Sequence, residues 1–164
     1  MTITPTIIEF TVRGTPKPQP RAKTRVVQPK GRPAFAHIYT PRVGDEWKRA
    51  VSRTAGLHAP GAPMEGPVRV ELRFYLPRLK KHERLRVGDD AFLASDRVGG
   101  DFDNLAKAVV DVLQAAGFFV DDAQVAAVDV RKWYAAVGAV PGLVVRVGAV
   151  DPHGEGEFGA ASGE

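Results

Sequence analysis

Residues 101–134 read DFDNLAKAVVDVLQAAGFFVDDAQVAAVDVRKWY, and the fold turns on how this stretch is read. From Asn104 to Ala116 the apolar residues Leu105, Val109, Val112, Leu113 and Ala116 cluster on one side at 100° per residue, so the spacing predicts an amphipathic helix. Gly117 supplies its stop, Phe118–Val120 leads into Asp121-Asp122, and a strand is predicted within Val125–Tyr134. Upstream, Val68–Leu76 alternates: Val68, Val70, Leu72, Phe74 and Leu76 share one face, Arg69, Glu71, Arg73 and Tyr75 the other. That is the pattern of a half-buried strand. Ile7–Arg13 ends at Gly14 and reads as a first strand; Leu143–Val150, after a turn over Val137–Gly142, reads as the last. Asp45–Leu57 carries Trp47, Ala50, Val51, Thr54 and Ala55 at helical spacing. Strands and helices in mixed order predict one α+β domain over residues 1–150, a small mixed sheet of about four strands with two main helices.

The segments between these elements are expected to be irregular. Pro16, Pro18 and Pro20 bar regular structure, which predicts a stiff, extended, basic loop. Pro77 ends the alternating strand, and the charged run to Gly100 has no sustained period, so a long mobile loop is expected over 78–100. Residues 151–164, DPHGEGEFGAASGE, have almost no apolar content and predict a flexible acidic tail.

Composition excludes several classes of function. The chain has 164 residues, 44% of them hydrophobic and 26% charged, enough to bury a core. It has no run of about 18 apolar residues, and its first ten lack a basic region ahead of an apolar one, so neither a membrane span nor a secretion signal is expected. Without cysteine there is no disulfide, thiolate nucleophile or thiolate metal site, which fits a reducing, cytoplasmic setting. Four scattered histidines form no metal-ligand spacing, so any metal must be held by carboxylates.

Charge is segregated along the chain. Thr11–Pro33 holds seven basic residues and no acid, whereas Asp101–Asp122 holds five aspartates against Lys107 alone. A basic surface attracts phosphate backbones, and a carboxylate cluster repels them unless a cation sits between. A metal-dependent enzyme acting on nucleic acid reconciles the two. In an extended entry Asp101 and Asp103 would present both carboxylates to one space, with Lys107 one helical turn beyond Asp103. Mg²⁺ takes one or two carboxylates plus phosphate oxygens and water; Asp122, where the chain returns, is the third candidate ligand, with Asp121 behind it. Lys107 would stabilise charge developing on phosphate. Phosphate-tracking candidates are Lys17, Arg21, Lys23, Arg25, Lys30 and Arg32 in the first loop, Arg69 and Arg73 on the alternating strand, and Lys80 and Lys81 in the second loop.

Each acid also has a plainer reading. Asp103 fits a helix N-cap, Asp101 a solvated charge, Lys107 a partner for Asp103 or Asp111, and Asp121-Asp122 a turn. Their joint order, DxDNLxK, an amphipathic helix, then DD before a strand, is what departs from that. A non-catalytic DNA-binding module, or a Mg²⁺ nuclease for flaps, single strands or RNA, would be compatible with the same residues.

That joint order resembles the RusA-type Holliday-junction resolvases. Asp101–Lys107, Asp111-Val112-Leu113 and Val120-Asp121-Asp122-Ala123-Gln124-Val125 resemble the family's central signature, and Lys132 its following basic residue. Phe10-Thr11-Val12 and Gly14–Arg21 resemble its first strand and basic proline-rich loop, with Tyr39 and Trp47 at positions often aromatic. The resemblance covers about Ile7 to Val150. It implies a RusA-like fold and a homodimeric endonuclease that uses Mg²⁺, with Mn²⁺ as a substitute, to nick four-way DNA junctions symmetrically. It assigns metal binding to Asp101, Asp103 and Asp122, catalysis to these and Lys107, and DNA contact to Lys132. The long loop after Lys80 and the acidic tail depart from the family pattern.

Overall fold

The computed structural model describes residues 7–85, 87–95 and 99–151; of the tail expected over 151–164, all but Asp151 lies outside these. Strand β1 (Ile7–Arg13) is followed by β2 (Lys23–Val27), β3 (Phe35–Tyr39), helix α1 (Asp45–His58) and β4 (Val68–Leu76). Then come α2 (Lys80–Arg84), β5 (Phe92–Leu93), α3 (Phe102–Ala115), a 3₁₀ turn over Asp122–Gln124, β6 (Val125–Tyr134) and β7 (Gly142–Ala149). The main sheet runs β1-β7-β4-β6-β5, and β2-β3 form a separate hairpin. β4 and β6 are parallel, and α3 lies in the crossover that such a pair requires. The other pairings in the main sheet are antiparallel.

Alternation in the strands decides which face is covered. Val68, Val70, Leu72 and Phe74 of β4 meet Leu143, Val145 and Val147 of β7, all without solvent exposure, and Phe10 and Val12 of β1 extend the layer. Onto it pack Trp47, Val51 and Ala55 of α1 and Leu105, Val109, Val112 and Leu113 of α3, one apolar stripe from each helix. At roughly 1.5–3 kcal/mol for each large apolar side chain buried, this one cluster dominates stability. The opposite face of the sheet has no described element packed on it. There Glu71, 9% exposed, pairs with Arg69 at 3.2 Å and Arg146 at 3.1 Å, and Arg146 also pairs with Glu9 at 3.0 Å.

The α+β class agrees with the sequence reading, but the strand count and both loops need correction. Among the described residues the main sheet has five strands instead of about four, with a second, two-stranded sheet and three helices. The proline-rich loop does not stay irregular: after Pro20 it forms the β2–β3 hairpin, whose five-residue strands are short enough to escape a periodicity reading. Residues 78–100 include α2 and β5. Arg78 anchors them, its Nε donating to the Ala135 carbonyl at 2.9 Å and its Nη2 to that of Asp90, with the guanidinium 5.3 Å from the Phe92 ring centre. His82, buried, accepts from the Leu79 amide through Nδ1 at 3.2 Å and lies edge-on to Tyr134 and Phe92. These are tertiary contacts with no local periodicity to announce them.

Candidate nucleic-acid and metal site

Asp101 is the N-cap of α3, in extended conformation, and Asp103 stands in the first helical turn. The helix therefore begins two residues earlier than predicted, and Asp101, not Asp103, occupies the cap. The Asp101 side chain makes no capping hydrogen bond. Both carboxylates are exposed, and among the described residues neither has a hydrogen-bond or ion-pair partner. Negative charge is favoured there by the helix dipole.

The approach to this position is tightly built. Gly99 and Gly100 have φ of 87° and 101°, a region side chains rarely enter. A Cβ on Gly99 would stand 2.7 Å from the Leu76 side chain, and one on Gly100 2.7 Å from the Pro18 ring. Glycine thus allows the proline-rich loop to close directly on the start of α3. The Gln19 amide donates to the Asn104 carbonyl at 3.1 Å, and Lys132 Nζ to the Gly100 carbonyl at 3.1 Å. The signature's Lys132 is thereby placed next to Asp101, seven residues along β6 from its first residue.

Lys107 is largely exposed, one turn after Asp103, and its Nζ lies 3.1 Å from Asp111 Oδ1. Asp111 is thus one of the two partners that the sequence offered to Lys107. Lys17, beside Arg42, Lys48 and the start of α1, lines a pocket that also includes Pro18, Gln19 and Ala108, so a basic wall adjoins α3. Arg21 is exposed ahead of the hairpin, Lys23 and Arg25 are on β2, and Lys30 and Arg32 are in the turn between its strands. Lys80 and Lys81 open α2. Arg69 is tied to Glu71, while Arg73, on the same open face, is half-buried. Sequence alternation put Glu71 on a polar face but gave no sign that two arginines would enclose it.

Asp121 and Asp122 are elsewhere. Asp121 Oδ1 accepts from the Ala123 amide at 2.8 Å and caps the 3₁₀ turn, of which Asp122 is the first residue. The turn is fixed by Gln124, whose Nε2 reaches the Met64 and Gly66 carbonyls, each at 3.0 Å. It adjoins the C-terminal end of α3, where Gln114 Nε2 donates to the Val120 carbonyl at 3.2 Å. Since α3 has 14 residues at a rise of 1.5 Å, about 20 Å separates its two ends. The structure does not bring Asp122 to Asp101 and Asp103 within one chain. Among the described residues no three His, Asp or Glu side chains converge as a metal-holding group. The Asp101–Asp103 pair by itself matches what Mg²⁺ requires of a protein: one or two exposed carboxylates, with the remaining positions open to phosphate and water.

No helix among the described residues is long and apolar enough to cross a membrane. The chain is 29% identical over 149 residues to "Uncharacterized protein YqaN" of Bacillus subtilis (strain 168), covering 87% of this chain and 98% of that protein. The model of the family described as "Endodeoxyribonuclease RusA" matches residues 13–148. That span includes the glycine-built entry to α3, both acidic pairs and the basic hairpin, and the chain belongs to the RusA endodeoxyribonuclease family.

Proposed function

We propose that this protein is a Mg²⁺-dependent homodimeric endonuclease that resolves four-way DNA junctions by paired, symmetric nicks in recombination and repair. The observation that carries this reading is the unpartnered, exposed Asp101–Asp103 pair at the start of α3, beside Lys132 and a basic wall, in a chain of this family. Asp101 and Asp103 would hold the metal. Bound there, Mg²⁺ would polarise the scissile phosphate and lower the pKa of a bound water. Lys107, four residues from each of Asp103 and Asp111, would exchange its pairing with Asp111 for the phosphate as DNA arrives. Lys17, with the neighbouring Arg42 and Lys48, would orient the backbone without reading bases.

Two cuts of like polarity require two sites related by a twofold axis, which makes a homodimer the natural assembly. One feature of the sheet suits it: β5 covers only the end of β6, pairing at Trp133 and Tyr134 with the Ala94 amide reaching the Lys132 carbonyl, and among the described residues no strand pairs with residues 125–131 on this side. Val128 and Phe102, 48% and 61% exposed, line a groove along it. Asp122 lies far from Asp101 in its own chain, so its assignment as third ligand requires that it come from the partner. The test is Asp103→Asn. It is expected to retain junction binding and to lose cleavage by about 100-fold or more, at or beyond the upper end of what a supporting metal contact is worth. Unchanged cleavage would remove Asp103 from the site.

A further inference from the structure

The β2–β3 hairpin stands outside the core. From Arg21 to Thr40 every residue is exposed except Val27 and Pro29, and no described element packs across either face of the hairpin. A lone two-stranded hairpin is marginally stable in water, so one carrying this much apolar surface calls for a partner. Its register sorts the side chains. Lys23 pairs with Tyr39, Arg25 with His37 and Val27 with Phe35, which places these six on one face; Thr24 with Ile38 and Val26 with Ala36 form the other. The first face is basic and aromatic: the His37 and Tyr39 rings are stacked at 6.0 Å, and the Arg25 guanidinium lies 6.0 Å from the Tyr39 ring centre. The second face is apolar, with Val26 74% and Ile38 69% exposed. Lys30 and Arg32 sit in the connecting turn, and no acidic residue occurs from Phe10 to Gly44.

We propose that this hairpin is a wedge that enters the branch point of the DNA, an inference that rests on the nuclease reading above. Phe35, His37 and Tyr39 stack on bases whose stacking is interrupted there, Val26 and Ile38 press against base planes on the other side, and Lys23, Arg25, Lys30 and Arg32 hold phosphates of the flanking arms. Aromatic rings bind bases through their π faces, and apolar side chains wedge between base steps. A linear duplex must be unstacked to admit such a wedge, whereas bases at a branch already lack part of their stacking, so the hairpin selects branched DNA. Charge argues against a second hairpin as the occupant, because two acid-free surfaces of this kind repel. The hairpin is also well placed. Its first strand begins four residues after Gln19, which is bonded to Asn104 of α3, and its second leads through Thr40 and Pro41 into the pocket that Ala108 of α3 shares. A five-residue strand reaches about 17 Å from that root.

The test uses the full chain and a four-way junction carrying 2-aminopurine at the branch point, with a linear duplex of the same sequence, in EDTA for binding and in Mg²⁺ for cleavage. Wild-type protein is expected to raise the 2-aminopurine fluorescence of the junction and not of the duplex. The doubly substituted Phe35→Ala, Tyr39→Ala protein is expected to lose that rise and to lower the junction-over-duplex affinity ratio about ten-fold or more. Because the hairpin is outside the core, its circular dichroism and thermal midpoint should stay near wild type. A full fluorescence rise in the double variant overturns the wedge, as does a wild-type protein that cuts the junction without any rise. If Val26→Ser, Ile38→Ser makes the protein monomeric while the rise persists, the hairpin belongs to a second copy and the wedge is again overturned. A wild-type protein that neither binds nor cuts the junction removes the nuclease reading and the wedge together.

Discussion

Gly100 holds the chain at φ 101° with the Pro18 ring where a side chain would begin, and the next residue is Asp101. The site is therefore set by what is absent from two glycines as much as by what two aspartates carry. Gly100→Ala puts a Cβ into a strained backbone region and into Pro18, and either the proline-rich loop or the start of α3 must move. Such strain costs about 1–3 kcal/mol. The variant is expected to unfold at correspondingly lower urea and to cut less well, because Asp101 is displaced; urea denaturation beside a cleavage assay reads both. At this scale the sequence was informative about residue type and incomplete about environment. The DxDN order marked the acids and the i,i+4 spacing offered Asp111 to Lys107, but Glu71 enclosed by Arg69 and Arg146 depends on a neighbour 75 residues away.

Elements differ in how openly the sequence announces them. β4 and α3 have nine and 14 residues, long enough for periods of 2 and 3.6 to stand out, and β6 spans the very residues 125–134 within which it was expected. The hairpin, α2 and β5 have strands or turns of two to five residues, and prolines on both sides of the hairpin mask its alternation. What holds α2 and β5 in place is Arg78, which donates to the Val87 and Asp90 carbonyls between them and to the Ala135 carbonyl just after β6. Arg78→Ala leaves these acceptors without a charged donor, a loss of about 1–3 kcal/mol felt locally. The Ala94 amide, which donates to the Lys132 carbonyl at 2.9 Å beside β5, is expected to exchange with solvent about ten-fold faster or more. Amides of β4 should be unaffected. Equal acceleration throughout the sheet would mean that the segment and the core unfold together.

At the scale of the whole molecule, α3, about 20 Å long, separates the two acidic pairs, and this separation constrains how a nuclease could be assembled from the chain. If Asp122 completes the site of the partner, then Asp103→Asn and Asp122→Asn proteins, each inactive alone, restore one intact site when mixed and allowed to exchange subunits. Single nicks in the mixture are the expected product; no recovery would place all three acids in one chain's site or leave Asp122 outside it. The basic hairpin, the wall around Lys17 and the start of α3 adjoin one another, and the charge segregation together with the acidic motif pointed in the sequence to nucleic acid, in keeping with an endodeoxyribonuclease family. The most direct measurement is incubation of the wild-type protein with a labelled four-way junction and with a linear duplex of the same sequence, in Mg²⁺ and in EDTA. Paired, symmetric nicks in the junction with Mg²⁺ alone are predicted; tight binding with no cleavage in Mg²⁺, or equal cutting of the linear duplex, would contradict a junction-resolving endonuclease.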